Sequence, residues 1–369
     1  MSRPTPAPRG FAQRALQALS WAGLAVSLLI LTFSAPRLLE QGGGAGLVLG
    51  NVAQYGWTIA LLALAFAWTR TIGLRALAGA VLAGFFGVAS LAVLIGKPLV
   101  DRLGSDSPYV TLLFAPVTEE LLKLLPVALF LLLAARSRRW RPSVGDAVLF
   151  GFAVASGFAI YENILYGRGT DGGWFTTLPL SLLLPSIVTR GPMLVGGHAV
   201  YTGLASLGLA VSIIYGNRFR AARFALPVAL ALVMLEHVTV NRIASTGIFG
   251  GDPPWWAQMV LTFTLHGYLS SLLFLAGVAA VAVFETRLVM RGGARLPAAL
   301  RLHDVVRSLA GSPRWASLAQ LVRRLRYEAL RRSAILAAAQ GGGGAPDADA
   351  TAAVARSFEN AGFATGTPA

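Results

Sequence analysis

Apolar runs of about 20 residues recur along this chain, and each is long enough to cross a lipid bilayer as a helix. A bilayer offers no water to unpaired backbone groups, so a segment of this kind satisfies them by forming a helix. Only 13% of the 369 residues are charged, about half the share in soluble proteins. We predict an all-α polytopic transmembrane helical bundle with about eight spans, at 18–38, 47–68, 76–95, 109–135, 144–166, 191–215, 224–243 and 256–285.

The basic residues lie mainly in short connections and in the C-terminal region. They give the chain a formal net charge of +15, which the positive-inside rule explains without a nucleic-acid partner. The rule predicts a multi-pass protein with both termini in the cytoplasm. This assignment treats residues 174–190, which Pro179 and Pro185 interrupt, as a re-entrant or interfacial segment. A further span at 174–190 stays an open alternative.

The composition divides the chain into four parts. Residues 1–16 form a polar cytoplasmic segment, and 17–285 form the membrane domain. Residues 286–338 combine many arginines with apolar residues at helical spacing, which predicts basic amphipathic helices in the cytoplasm. These helices either lie on anionic lipids of the inner leaflet or form a soluble cap. The Gly- and Ala-rich end, 339–369, is expected to be disordered.

One apolar run contains three charged residues, Glu119, Glu120 and Lys123. A charge at the centre of a membrane helix costs at least about 2.5–3.5 kcal/mol on insertion scales. Lys123 is four residues after Glu119 and three after Glu120, so on a helix it can reach either carboxylate. The cluster is therefore either a self-neutralising ion cluster between helices or a catalytic, metal-binding or ion-handling site.

Further ionisable residues occur in other predicted spans, namely Glu162, His198 and His237. At about 1.5 Å per residue, the predicted topology places them at a depth similar to that of Glu119 and Glu120, in the outer half of the bilayer. His198 is expected about 10 Å inside its helix on this count. Agreement in depth favours one shared site. Polar neighbours that could support it are Asn163, Arg190 and Asn241.

Carboxylates and imidazoles at one depth are compatible with two classes of chemistry. In a hydrolase they could bind Zn²⁺, or a glutamate–histidine pair could activate water without metal. In a transporter they could relay protons or cations. A non-catalytic membrane scaffold is a further alternative. The absence of cysteine from the chain excludes disulfides, thiolate metal sites and a cysteine nucleophile.

Four motifs on successive spans resemble those of the PrsW family of intramembrane proteases. They are Glu119-Glu120-x-x-Lys123, Phe158-x-x-x-Glu162-Asn163, Arg190 with His198, and His237-x-x-x-Asn241. The resemblance covers roughly residues 50–285, and the family is similar in motif layout to the type II CAAX prenyl endopeptidases. It implies a membrane-embedded endopeptidase of a bacterial plasma membrane. Bacterial relatives make the site-1 cut in a membrane-anchored anti-sigma factor, so the implied substrate is a single-span membrane protein.

The resemblance also implies roles for the residues of the four motifs. Glu119 and Glu120 would supply the catalytic base or a metal ligand. Glu162, His198 and His237 would be ligands or stabilise the transition state, and Lys123 would neutralise or orient the carboxylates. The implied Zn²⁺ ligands are Glu120, Glu162, His198 and His237. Asn163 and Asn241 would support the ligands or donate to an oxyanion, and Arg190 would have a supporting role. The oligomeric state is left open.

Overall fold

The computed structural model describes residues 45–104, 107–136, 141–165, 188–190, 193–244, 254–293, 331–336 and 354. Within these ranges the chain forms nine α-helices, a further short helical segment at 331–336 and one two-stranded ladder. The helices are α1 Ala45–Ala65, α2 Leu74–Leu82, α3 Ala89–Leu103, α4 Ala115–Arg136, α5 Val144–Leu165, α6 Gly197–Tyr215, α7 Ala225–Ala244, α8 Trp255–Phe263 and α9 Tyr268–Gly293. Two π-helical turns, Ala83–Val88 and Tyr109–Phe114, join α2 to α3 and lead into α4.

Six helical segments in the described part of the chain are long and apolar enough to cross a membrane. A seventh, α4, is 22 residues long and carries the charged cluster inside its apolar run. These seven correspond to seven of the eight predicted spans, and the first, at 18–38, lies outside the described residues. The prediction of an all-α polytopic bundle is confirmed.

Helix α5 lies at the centre of the bundle. In its apolar 18-residue stretch 94% of the residues are buried, against 28% in the corresponding stretches of the segments that contain α1, α2 with α3, and α8 with α9. Two glycines allow the neighbouring backbones to approach it. A Cβ on Gly84 would lie 1.8 Å from the carbonyl oxygen of Val154, and a Cβ on Gly157 would lie 2.0 Å from that of Val81. Small residues allow this close contact between membrane helices.

The start of α5 is joined to the connection between α1 and α2. Ser143 and Asp146 form a capping box, in which each side chain accepts a hydrogen bond from the other residue's backbone N–H, at 2.8 and 2.9 Å. The Asp146 carboxylate also accepts bonds from the backbone of Thr71 and Ile72, at 2.8 and 3.1 Å. Asp146 is fully buried. It caps α5 and also joins the start of this helix to the connection between α1 and α2.

The end of α9 reaches the same face of the bundle. The buried Glu285 carboxylate accepts hydrogen bonds from the backbone N–H of Val144 at 2.6 Å and of Gly145 at 3.3 Å. These N–H groups belong to the first turn of α5, where helical partners are lacking. Many arginines lie in the connections and helix ends that meet here, so we call this end of the bundle the basic face. These arginines are Arg70, Arg75, Arg141, Arg218, Arg220, Arg223, Arg287 and Arg291.

Residues 331–336 of the predicted amphipathic region form a helical segment on this face. Arg332 donates to the carbonyl oxygens of Ala67 and Arg70, at 2.6 and 3.2 Å. The Ser333 hydroxyl accepts a bond from the Arg141 N–H at 2.6 Å and donates to the Arg141 carbonyl at 3.1 Å. This segment therefore contacts protein. The rest of 294–338, apart from these six residues, and the tail except residue 354 lie outside the described residues.

Three predicted helix boundaries were wrong. The third span was expected to end near residue 95, before a polar segment, but α3 continues to Leu103. Polar residues are tolerated there, because Lys97 and Asp101 are exposed and form an ion pair of 2.8 Å one turn apart. The last span was expected to be continuous from 256 to 285. It is broken between α8 and α9 by left-handed φ values at Leu265 and His266, and it extends to Gly293.

The third correction concerns the segment predicted as a helix from 191 to 215. Strands β1 (Val188–Arg190) and β2 (Met193–Val195) pair antiparallel, with Arg190 opposite Met193. Helix α6 begins only at Gly197, whose φ of +69° suits glycine and allows the turn from strand to helix. His198 is thus the second residue of α6, and its predicted position about 10 Å inside a helix was wrong. The re-entrant segment predicted at 174–190 lies outside the described residues except for β1.

Candidate functional site

Four helices contribute one ionisable cluster, with Glu119, Glu120 and Lys123 on α4 and one residue from each of the other three helices. Those three residues are Glu162 on α5, His198 on α6 and His237 on α7. The structure therefore brings together all five residues predicted to be catalytic and Lys123. The cluster joins helices that are far apart in sequence, so it is more than a self-contained ion cluster on α4.

Glu120 lies at the buried centre of this cluster. Its side chain is 0% exposed, and one carboxylate oxygen is 2.6 Å from the Lys123 ammonium and accepts a bond from His237 Nδ1 at 3.0 Å. The other oxygen accepts a bond from the Thr202 hydroxyl at 3.2 Å. With these three donors around it, the Glu120 carboxylate orients the His237 ring and compensates the buried ammonium.

His198 connects Lys123 to Glu162. Lys123 Nζ lies 2.7 Å from His198 Nδ1, and His198 Nε2 lies 2.5 Å from the Glu162 carboxylate. Because an ammonium has only donors, the ring proton is assigned to Nε2, which donates to Glu162. The Phe158 ring contacts the His198 ring edge-on at 5.1 Å, and the Lys123 ammonium lies 4.6 Å from its centre. These contacts hold the imidazole in one orientation.

Glu119 is adjacent to Glu120 but has a different environment. Its side chain is 21% exposed, whereas its Oε2 atom is buried and has no hydrogen-bond partner among the described residues. This oxygen lies 3.8 Å from His237 Nε2, too far for a hydrogen bond. Glu119, His198 and His237 each offer one ligand atom, and the three atoms lie within 4.8 Å of one another.

The structure gives hydrogen bonds for two of the residues predicted to support the site. Asn163 donates to the Asn51 side chain at 2.7 Å, and Asn241 donates to the Thr111 carbonyl at 3.0 Å. Both bonds join neighbouring helices. Arg190 lies in β1, shortly before His198 in the sequence.

Sequence reasoning missed one polar residue of this region, Thr202. It follows His198 by one helical turn, a spacing that could have indicated its contact with Glu120. Glu236, which precedes His237, is a charged residue in a predicted span that could pair with Arg242 or with a neighbouring helix. Its carboxylate accepts bonds from the backbone N–H and the hydroxyl of Ser270 at the start of α9.

The cluster lies far from the basic face. At about 1.5 Å per residue, Glu119, Glu162 and His198 lie about 26 Å along their helices from that face. His237 lies about 18 Å from the corresponding end of α7 on the same count. The site therefore occupies the half of the bundle opposite the basic face. It opens into a cleft of about 350 Å³, lined in part by Glu119 and Glu162.

Comparison with known proteins gives one informative match. A family model described as "PrsW family intramembrane metalloprotease" matches residues 58–270, more than half of the chain. All residues of the ionisable cluster fall inside the matched range, and residues 331–336 fall outside it. No curated protein and no solved structure matches the chain significantly.

Proposed function

Because the chain belongs to the PrsW family of intramembrane metalloproteases, we propose that Glu119, His198 and His237 form its metal-binding and peptide-cleaving site. The observation that carries this proposal is that one carboxylate and two imidazoles, from three helices, offer ligand atoms that lie within 4.8 Å of one another. Lys123 contacts His198 Nδ1 and Glu162 contacts His198 Nε2, so ligation by His198 requires one of these two contacts to open. Nitrogen and oxygen donors of this kind suit Zn²⁺. Bound there, a divalent metal supplies the Lewis acidity that polarises a carbonyl and activates water.

Two further observations fit such an ion. Two ligands on a tetrahedral zinc with bonds of about 2.1 Å are about 3.4 Å apart, close to the 3.8 Å between Glu119 Oε2 and His237 Nε2. The described cluster also has three carboxylates and one ammonium, which leaves two formal negative charges when the imidazoles are neutral. Uncompensated charge is costly within a membrane, and one divalent cation balances it.

The remaining residues support this arrangement. Glu120 accepts the Nδ1 hydrogen bond of His237, which fixes the ring with Nε2 directed toward Glu119; carboxylates commonly orient metal-ligating histidines in this way. Lys123 balances the Glu120 charge. Glu162, 22% exposed at the cleft, can take a proton from water and return it to the leaving amine, which is general base and then general acid catalysis.

The proposed substrate is a single-span membrane protein, cut where its chain enters the outer half of the bilayer. The positive-inside rule assigns the basic face to the cytoplasm. The distance of the cluster from that face therefore supports a site in the outer half of the bilayer. We propose a bacterial plasma membrane as the site of action, with both termini in the cytoplasm. An anti-sigma-factor-like protein cut at site 1 would meet these requirements.

Comparative proteomics of membrane fractions tests the proposed function. Cells that express the wild-type chain are compared with cells that express Glu119→Gln at the same level. We expect one single-span protein to be present in shortened form with the wild type and at full length with the variant. The purified wild type should then cut that protein in lipid nanodiscs. Equal cleavage by the purified variant would overturn the assignment of the site.

A further inference from the structure

The cleft beside the ionisable cluster is formed by a different set of helices from the cluster itself. Its walls come from α3, the π-helical turn Tyr109–Phe114, the start of α4 and the end of α5. Glu119 and Glu162 lie in its lining, so any group that occupies the cleft is next to the proposed reacting centre. Helix α3 contributes none of the proposed catalytic residues, and its role in the cleft needs a separate explanation.

The volume of the cleft is about 350 Å³. This lies at the lower end of the range for ligand pockets in proteins, about 300–1,000 Å³. It is enough to receive a large side chain next to the proposed reacting centre.

The α3 wall includes a stripe of small residues on one face of the helix, next to Val93 and Val100. Ala89, Ala92 and Gly96 are spaced by three and four residues and all line the cleft, so they lie along one stripe of about 10 Å. A Cβ on Gly96 would meet no atom of the described chain within 4 Å. Unlike Gly84 and Gly157, Gly96 is therefore not required for helix packing. Its lack of a side chain leaves space in the cleft.

The opposite wall is apolar and aromatic, with Phe114, Phe158 and Tyr161 in the lining. The charged residues Lys97 and Asp101 also line the cleft, but they pair with each other at 2.8 Å and so compensate their charges. A large apolar side chain fits the apolar part of these walls, whereas the carboxylates in the lining, Glu119 and Glu162, belong to the proposed reacting centre.

We propose that this cleft is the subsite that receives a large apolar side chain of the substrate beside the scissile bond, and that Gly96 sets the size of side chain it accepts. The proposal rests on the proposed function and names the specificity of the same site. Gly96 acts by leaving space and has no part in the chemistry, so a bulkier residue there should change which substrates are cut.

The test uses single-span reporters built on the membrane protein that the proteomic comparison identifies. Gly, Ala, Leu or Phe is placed in turn at each position next to the cut. Purified wild type, Gly96→Leu and Gly79→Leu are compared in nanodiscs. Gly79 is a matched control because it lies on α2 of the same continuous helical segment, is exposed, and would also have a Cβ in open space.

We expect the wild type to prefer Leu or Phe at one position. Gly96→Leu should lower kcat/KM for those reporters by about tenfold or more, because a change of even one methylene group in an apolar pocket has an effect of that size. Cleavage of the Gly reporter should change little, and Gly79→Leu should match the wild type throughout. Equal loss for every reporter, or no change in preference, would overturn the subsite while leaving the proposed function intact. If the wild type cut no reporter, the proposed function and this inference would both fail.

A second variant avoids any effect of bulk on folding. Because the chain has no cysteine, Ala92→Cys introduces a single thiol in the cleft wall, and Ala78→Cys introduces one on the exposed surface of α2 as the control. Each folded protein is treated with benzyl methanethiosulfonate, which attaches a benzylthio group. We expect the modified Ala92→Cys protein to lose cleavage of the Leu and Phe reporters and to regain it on reduction. Unchanged cleavage after complete modification would contradict the subsite.

Discussion

Substitution of Glu120 by Gln separates two roles that adjacent glutamates play in this account. Glu120 is buried and accepts hydrogen bonds from His237 Nδ1 at 3.0 Å and from Thr202 at 3.2 Å, beside the Lys123 ammonium at 2.6 Å. Glutamine preserves the shape and one carbonyl acceptor but removes the negative charge. Hydrogen bonds that involve an ionised group are about twice as strong as neutral ones, so the orientation of His237 should weaken without being lost.

The size of the effect follows from the role of Glu120 as a support for a ligand. Loss of such a support lowers metal affinity by about 10–100-fold, which corresponds to about 1.4–2.7 kcal/mol. Glu120→Gln should therefore be inactive at limiting metal and recover when the metal concentration is raised by a similar factor. Glu119→Gln loses a direct ligand, so the same addition of metal should not restore it.

The assay measures metal binding and reporter cleavage on the same nanodisc preparations across a titration of Zn²⁺. Both variants must elute as the wild type does in size-exclusion chromatography. The reasoning would be refuted if Glu120→Gln bound metal with wild-type affinity, or if added metal rescued Glu119→Gln but not Glu120→Gln. The second result would assign Glu120 as the ligand and Glu119 as its support.

Three further predictions concern stability and cofactor. Glu285→Ala leaves two buried N–H groups at the start of α5 unpaired, at a cost of about 1–3 kcal/mol each, so the thermal midpoint of unfolding should fall. Lys97→Ala removes one partner of an exposed ion pair and should leave the midpoint unchanged. Equal midpoints for the two variants would contradict the role of Glu285. Gly157→Ala forces a Cβ against the backbone of α2 and should lower the free energy of unfolding by about 1–3 kcal/mol. Gly79→Ala should leave it unchanged. Denaturant titration in mixed micelles measures both. Exhaustive chelation should abolish cleavage and Zn²⁺ should restore it; cleavage by protein shown to be free of metal would favour direct activation of water by a glutamate.

The helices and the cluster were largely predictable from sequence. Apolar length determines where a membrane helix can form, and seven of the predicted spans correspond to helical segments in the described residues. Charged residues within such helices are costly enough to indicate a site. The motifs therefore predicted which residues converge, because Glu162, His198 and His237 have little reason to lie in apolar helices otherwise.

The details that sequence could not supply depend on contacts between distant residues. Lys123 can reach either adjacent glutamate along one helix, so only the position of His237 on α7 distinguishes the roles of Glu119 and Glu120. Glu285 contacts Val144, 141 residues away in sequence, and no local pattern indicates that bond. The break before α9 begins at Leu265, a residue type that rarely adopts left-handed backbone.

The most direct test of the central claim is a combined measurement of metal content and cleavage for His237→Gln and the wild type. Both are purified in nanodiscs, and the reporter is the single-span protein found by membrane proteomics. We expect about one metal ion per wild-type chain, together with cleavage of the reporter. The variant should remain folded but show neither bound metal nor cleavage. A variant that cuts the reporter at the wild-type rate without bound metal would contradict the proposed site.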